Sequence, residues 1–292
     1  MKKIILVLLA LCPLRLLAQG GSDAFPFVRT DFGPTLTGTA GAAVASHRTG
    51  AWGVFRNASA LVFDSSMMNL GGEFRILGGG NSGGAAALSA TMFDNLGIGA
   101  GFAYLGGDRV GDFKTSDMVL SGGLGYSVTE NIGLGINIRY AQQNLAESVQ
   151  YHGYNVDISA LAKVSDELSV ALGVSTLGKR IVSASGSEYR QPANVYAGAE
   201  YSLSLPEGYS LSLDAMAEYY FSGNYGAAIG GSFTYDDTLT LRAGYRFASE
   251  WCVLPSEFSV GLGGRLGAFT LDAGYTATKS LSLICLSAGF CF

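Results

Sequence analysis

Charge is scarce in this sequence, and long hydrophobic runs are absent from most of it. Charged residues make up 14% of the chain, whereas a soluble domain carries about a quarter. After residue 18 no stretch approaches the ~20 consecutive apolar residues that a membrane-spanning helix needs. Both an ordinary soluble domain and a helical membrane protein are therefore disfavoured. The net charge of −5 also lacks the basic character of a nucleic-acid-binding protein.

Residue types that carry catalysis or bind metals are scarce as well. His47 and His152 are the two histidines, and neither has cysteines or carboxylates at metal-site spacing or an evident Ser/Asp constellation. Asp236 and Asp237 lie in a predicted turn, where acidic residues favour the backbone geometry, and a calcium site there is the minor alternative. We therefore expect no catalytic residue, no metal and no cofactor.

The amino terminus has the features of an export signal. Within residues 1–18, Lys2 and Lys3 precede an apolar run at residues 4–11, which is too short to span a membrane. The alternative is a short anchor helix, but Arg15 interrupts its apolar sequence. We predict a cleaved signal peptide.

Cysteines are few in a chain that is exported to an oxidising compartment. Cys12 leaves with the signal peptide, and Cys252, Cys285 and Cys291 remain. Cys285 and Cys291 are six residues apart on one predicted strand, roughly 20 Å at ~3.3 Å per residue, so they cannot pair with each other. A Cys252–Cys285 disulfide is a hypothesis, and at least one cysteine has no internal partner.

What the chain does have is alternation of apolar with small or polar residues, which predicts strands. In residues 238–247, Leu239, Leu241, Ala243, Tyr245 and Phe247 face one way, and Thr240, Arg242, Gly244 and Arg246 face the other. Similar segments recur at 66–77, 82–93, 96–106, 116–128, 131–143, 153–164, 168–177, 192–204, 209–221, 225–235, 238–248, 257–266, 269–276 and 281–292. The pattern predicts an all-β fold, a transmembrane antiparallel β-barrel of about 14 strands at residues 66–292.

The connections and the last strand fit such a barrel. Short turns follow the even-numbered strands, and longer predicted loops at 107–115, 144–152, 178–191 and 249–256 follow odd-numbered ones, as expected when both ends of the barrel are periplasmic. The last strand has Phe290 and the terminal Phe292 on one face. This aromatic ending resembles the signal that the barrel-assembly machinery recognises.

Residues 19–65 lack the long apolar–polar alternation of the predicted strands, and they carry a family resemblance. They contain Ala-Phe-Pro-Phe at 24–27, Ala-Gly-Ala at 40–42, and Asn-Ala-Ser-Ala-Leu from Asn57 to Leu61. This order resembles the PorV/PorQ family, which is similar to fatty-acid-transporter-type barrels of fourteen strands. The family usually has Pro where this chain has Ala58. The resemblance implies an amino-terminal hatch inside the lumen; the alternative is one or two additional strands, which would make a barrel of sixteen.

Charged residues on the strands are expected to face the lumen, because Arg or Lys facing lipid would cost about 2 to 4 kcal/mol. Asp214 and Glu218 lie near the strand of Arg242 and Arg246, so we expect a paired network. This network either holds the wall and plug together or lines a substrate pathway. Its members are Glu73, Arg75, Arg139, Asp157, Lys163, Glu200, Asp214, Glu218, Arg242, Arg246, Arg265 and Asp272.

Three functions remain in competition. The resemblance implies a non-enzymatic bacterial outer-membrane protein that acts in type IX secretion, or as a shuttle for secreted or surface proteins. Its partners would be outer-membrane lipid, the barrel-assembly machinery and secretion subunits or cargo, with no nucleic acid. The first alternative is a channel or transporter for hydrophobic small molecules. The second is a lipid-modifying hydrolase, for which no nucleophile and base are evident.

Overall fold

The computed structural model describes residues 23–292, except residues 65, 94, 111, 148 and 184. The predicted signal peptide at residues 1–18 lies outside the described residues, as does the start of the predicted hatch. Within the described part of the chain, no helix is long and apolar enough to cross a membrane.

Fourteen strands form one closed antiparallel barrel, and two more form a small separate hairpin. The predicted fold class is confirmed. The barrel strands are β1 (Met68–Leu77), β2 (Asn81–Met92), β3 (Leu96–Val110), β4 (Phe113–Thr129), β5 (Ile132–Ala146), β6 (Val149–Lys163), β7 (Leu168–Gly178), β10 (Asn194–Ser204), β11 (Tyr209–Tyr220), β12 (Tyr225–Tyr235), β13 (Leu239–Ala248), β14 (Glu257–Leu266), β15 (Phe269–Thr278) and β16 (Ser282–Cys291). The hairpin consists of β8 (Ile181–Val182) and β9 (Glu188–Tyr189).

The barrel closes between its first and last strands. β1 pairs with β16 from Asn69 opposite Cys291 to Leu77 opposite Leu283. The terminal residue continues this seam, because the Phe292 amide donates to the Met68 carbonyl at 2.9 Å. The alternative of sixteen barrel strands is therefore wrong, since β1 and β16 close the barrel directly and no strand from residues 23–64 lies between them.

Burial alternates along the strands as the periodicity predicts. On β1, Leu70, Phe74 and Ile76 are exposed on the outer surface of the barrel, whereas Glu73 and Arg75 are buried inside. This apolar outer surface faces lipid, and the polar side chains of the same strand face the lumen.

Two predicted loops are strands in the structure. β3 and β4 continue pairing up to Val110 opposite Phe113, which removes most of the loop predicted at 107–115. β5 and β6 likewise pair Asn144 with Gln150, within the loop predicted at 144–152. Both predictions relied on the loss of apolar alternation, but a hairpin that extends beyond the membrane needs no lipid-facing side. The predicted 178–191 loop also contains the β8–β9 hairpin.

The amino-terminal segment, residues 23–64, lies inside the barrel, and we call it the plug. It consists of short helical pieces, namely 3-10 turns at Pro26–Arg29, Gly50–Trp52 and Ala58–Val62 and α-helices at Pro34–Gly38 and Gly53–Arg56. The end of the barrel that bears the long 179–193 and 249–256 connections is called the outer end, and the end with Phe292 is called the inner end.

The plug runs from the outer end to the inner end. At the outer end Asp23 forms an isolated backbone β-bridge with Arg190. Its carboxylate accepts a hydrogen bond from the Ser222 hydroxyl at 2.9 Å. Burial raises the pKa of the Asp23 carboxyl, and the Ser222 hydrogen bond opposes that shift. From there the chain descends to β1 at the inner end. It therefore crosses the whole lumen.

Inward-facing glycines let the plug approach the wall closely. A Cβ atom on Gly97 of β3 would lie 2.6 Å from the carbonyl carbon of Leu61, and one on Gly244 of β13 would overlap Thr39. Any larger residue would force plug and wall apart. The abundance of glycine in the barrel thus serves the packing of the plug.

Candidate functional site

An aromatic column occupies one side of the lumen. It consists of Phe25, Phe27, Phe32, Trp52 and Phe55, which belong to one buried cluster. Ring centroids lie 5.5 Å apart for Phe25 and Phe27, and 4.9 Å apart for Phe32 and Phe55. The wall beside this aromatic column contributes small side chains, among them Ala85, Ala87 and Ala103. The plug thus presents an apolar stripe to a wall with few side-chain obstacles.

The aromatic column connects two openings. At the outer end, Ile181 packs against the column and also lines a groove of about 350 Å³ between the β5–β6 hairpin and β8. At the inner end, Trp52 lines a cavity of about 600 Å³. This inner cavity is rich in hydroxyl groups, including those of Thr35, Thr49 and Ser212. The plug fills the space between the two openings, so the path is closed in this state.

One wall carboxylate binds two arginines of the plug. Glu218 on β11 accepts hydrogen bonds from two plug arginines, Arg29 at 2.9 Å and Arg56 at 3.3 Å. The Asn194 amide and the Tyr220 hydroxyl donate to the same carboxylate at 2.8 and 3.0 Å. All of these side chains are buried. Charge-assisted bonds at such a site orient the plug relative to the wall.

Asp31 is the plug's own acidic anchor. Arg246 on β13 pairs with the Asp31 carboxylate, and Arg56 lies 3.7 Å from it. Arg246 also lies 3.3 Å from Glu257 on β14. Arg75 on β1 donates to the Asp31 carbonyl. The plug therefore supplies arginines to a wall carboxylate, and the wall supplies arginines to Asp31 of the plug.

The predicted lumen charges have different partners from those expected. Asp214 and Glu218 do not pair with Arg242 and Arg246. Arg242 instead contacts Asp272 at 2.8 Å. Two further wall pairs are Arg75 with Glu73 and Arg139 with Asp157. The expectation considered strand neighbours only, whereas the plug lies between the strands and supplies the missing partners.

Two predicted charges lie at the inner rim. Arg265 is exposed there and its Nε donates to the Gly267 carbonyl at 3.1 Å. Lys163 lies over the Phe63 ring, with its Nζ 4.5 Å from the ring centroid. Both residues line the inner cavity. They do not take part in the buried ion pairs.

Arg29, Asp31 and Arg56 were not among the predicted site residues. They belong to a segment without strand periodicity, so alternation could not assign them an inward face. The available signal was composition: these charged residues, together with Arg48, interrupt an otherwise apolar, small-residue stretch of the plug.

The Asn57 and Leu61 motif has a local structural role. The Asn57 side chain caps the turn at Ala58–Val62 by accepting from the Ser59 amide at 3.2 Å, and it donates to the Val44 carbonyl at 2.8 Å. Leu61 is buried against Gly97 and Gly99. The capping side chain explains why Asn begins this element even though Ala58 replaces Pro.

The aromatic terminus packs on the barrel. The Phe290 ring lies 4.4 Å from the Phe269 ring and 4.3 Å from the Phe292 ring, centroid to centroid. This cluster sits at the inner end, beside the seam that closes the barrel. Recognition of Phe290 and Phe292 by the assembly machinery stays a prediction.

The hypothetical Cys252–Cys285 disulfide is not formed. Cys252, Cys285 and Cys291 are free. Cys285 is buried on the lumen face of β16, opposite Arg75 in the strand register, whereas Cys252 lies in the outer connection after β13. The prediction placed both at the outer end by residue order and could not include the depth of Cys285.

Comparison with solved structures identifies the fold. The toluene transporter TbuX of Ralstonia pickettii superimposes with a TM-score of 0.67 at 12% identity, over 89% of this chain and 98% of that one. The toluene transporter TodX of Pseudomonas putida gives 0.67 at 12% identity, over 89% and 98%. A FadL homologue of Pseudomonas aeruginosa gives 0.63 at 12% identity, over 94% and 100%. The chain has the fold of these outer-membrane transport barrels.

This fold agrees with the predicted location in the bacterial outer membrane. No protein-family profile matches the sequence, and no curated protein shows significant sequence similarity to it. The resemblance to the PorV/PorQ family therefore rests on the motifs of the amino-terminal segment alone.

Proposed function

We propose that this protein admits small apolar molecules through the outer membrane and that it has no enzymatic activity. The observation that carries this proposal is the aromatic column, which links the outer groove at Ile181 to the inner cavity at Trp52. Apolar side chains on both faces of a path favour an apolar solute over a hydrated one. The toluene transporters of the same fold support this proposal by analogy.

Passage requires local rearrangement of the plug, because the aromatic column is packed. The Gly and Ala side of the wall makes this feasible, since few side chains there have to move. The polar anchors at Glu218 and Asp31 stay in place in this scheme and keep the plug within the barrel.

Uptake of a radiolabelled monoaromatic hydrocarbon by cells that express the protein tests the proposal. We expect faster uptake than in cells with an empty vector, and a several-fold loss in Trp52→Gln. Trp251→Gln is the matched control, because Trp251 is 63% exposed in an outer connection. Uptake equal to that of the empty vector, with the barrel present and folded, would refute apolar transport.

A role in type IX secretion is the second candidate, and it rests on the family resemblance. Affinity purification from native membranes tests it. Recovery of secretion subunits or secreted proteins would favour that role, and recovery of a lone barrel would count against it.

A further inference from the structure

Two acidic side chains meet on the wall of the inner cavity. Glu200 on β10 and Asp214 on β11 are directly opposite in the strand register. Both point into the lumen, and they are 4% and 5% exposed. Directly opposed residues of an antiparallel pair have Cβ atoms about 5 Å apart. Two carboxyl groups therefore share one small buried volume.

This pair differs from the other buried carboxylates of the barrel strands. Within the described part of the chain these are Glu73, Asp157 and Glu218, and each has an arginine within salt-bridge distance. For Glu200 and Asp214 the one basic group that close is the His47 imidazole, whose Nδ1 lies 3.8 Å from Glu200 Oε1. Like charges that meet without a cation are strongly unfavourable.

One atom of the pair also lacks any partner. Asp214 Oδ1 is fully buried and accepts no hydrogen bond. A buried acceptor without a partner costs about 1 to 3 kcal/mol, and more when it is charged. This oxygen, which no N–H or O–H donor reaches, is a second sign that a ligand binds at the pair.

The nearby cations are engaged with other groups. The Arg48 guanidinium donates to the Ser202 hydroxyl at 3.0 Å, and Lys163 lies over the Phe63 ring. Ser202 in turn lies 3.4 Å from Glu200 Oε1 and 2.8 Å from the Ser212 hydroxyl. The pair thus has hydroxyl oxygens beside it but no ammonium or guanidinium group of its own.

We propose that Glu200 and Asp214 bind a hydrated divalent cation of the Ca²⁺ or Mg²⁺ class. Carboxylate and hydroxyl oxygens are the ligands such ions prefer, and Mg²⁺ in particular binds through one or two carboxylates while it keeps several waters. Both residues line the inner cavity of about 600 Å³, which gives ions and water access. Among the described residues no three His, Cys, Asp or Glu side chains form a group that could hold a metal ion, so the protein would supply two carboxylates here and water would complete the coordination.

The consequence is a second function for the lumen. The bound ion would neutralise the inner wall beside the plug, on the side opposite to the aromatic column. The pair shares the inner cavity with Trp52, but its two carboxyl groups lie on β10 and β11 and form no part of the aromatic column. Loss of ion binding and loss of apolar transport can therefore be told apart.

Calorimetric titration of the full-length mature protein in detergent, with CaCl₂ and MgCl₂, tests the proposal. We expect one bound ion per chain and at least a ten-fold loss of affinity in Glu200→Gln and in Asp214→Asn. Asp237→Asn is the matched control, because Asp237 lines the same cavity but belongs to a turn. Its backbone there has φ of 49°, which Asn tolerates.

A second readout keeps the result independent of the calorimetric signal. Ion binding to the folded state raises the unfolding temperature, so the wild type should gain stability in CaCl₂ and the two variants should not. The absence of any heat or shift in the wild type would mean that the carboxyls merely share a proton, and would overturn the proposal. Equal affinity in the variants, or binding of Zn²⁺ alone with loss in His47→Ala, would overturn it too.

Discussion

Two sides of the lumen hold the same plug by different means. On β2, β3 and β4 the wall is small and apolar, and we call it the small-residue wall; Gly97, Gly101 and Ala103 are examples. On β10, β11 and β13 the wall carries Glu218 and Arg246, and we call it the charged wall. The plug packs its aromatic column against the first and its ion pairs against the second.

The difference indicates a division of roles. Close packing against glycine gives contact without direction, whereas buried ion pairs have specific geometry and are strongly unfavourable when one partner is lost. The charged wall therefore sets the position of the plug. The small-residue wall leaves the apolar path without large side chains.

Loss of the Glu218 carboxylate should have the largest effect. Glu218→Ala leaves Arg29 buried without its carboxylate partner and removes one of the two carboxylates beside Arg56, which keeps Asp31. Breaking a buried pair of this kind costs about 3 to 5 kcal/mol. We expect a lower urea midpoint of unfolding and a new conductance in planar bilayers. Glu188→Ala is the control, because the Glu188–Arg180 pair is 53% exposed on both sides and is worth about 1 kcal/mol or less. Equal midpoints for the two variants would mean that the charged wall does not anchor the plug.

Crowding the small-residue wall should have the next largest effect. Gly97→Ala places a Cβ 2.6 Å from the Leu61 backbone, and overpacking of this kind costs about 1 to 3 kcal/mol. Gly122→Ala on β4 is the matched control, since a Cβ there meets nothing within 4 Å. Urea unfolding of both variants measures the difference. A Gly97 variant as stable as the Gly122 variant would contradict close packing.

Removal of the Asn57 cap should have a moderate effect. Asn57→Ala loses the cap on the turn at Ala58–Val62 and the bond to the Val44 carbonyl, and cap loss alone costs about 1 kcal/mol. Asn57→Ser keeps a capping oxygen and should recover part of the stability. If serine restored nothing, the cap would not be the stabilising contact.

Addition of a reducing agent should have the smallest effect on stability. Because Cys252, Cys285 and Cys291 are free, reducing agent should leave the unfolding midpoint unchanged. Mass spectrometry of protein alkylated after unfolding, without reduction, should find all three modified. An unmodified pair would reveal a disulfide.

The two walls also show what periodicity can predict. Alternation assigned Glu218 and Arg246 to the lumen, because a strand between lipid and water has only two faces. It could not give their partners, since Arg29 ends a single 3-10 turn and Asp31 lies in the irregular stretch after it, where no pattern repeats. The predictions of loops at 107–115 and 144–152 were wrong for a related reason. A hairpin that extends beyond the lipid loses the apolar alternation but keeps its strand pairing.

The sequence by itself determined a fourteen-stranded barrel, its lipid-facing surface and the inward set of charges, because lipid imposes a strict two-residue period. The tertiary structure alone decided which charges meet, how the plug crosses the lumen and where the aromatic column lies. The same is true of the Glu200–Asp214 pair. These features depend on contacts between residues far apart in the chain, and no local pattern encodes them.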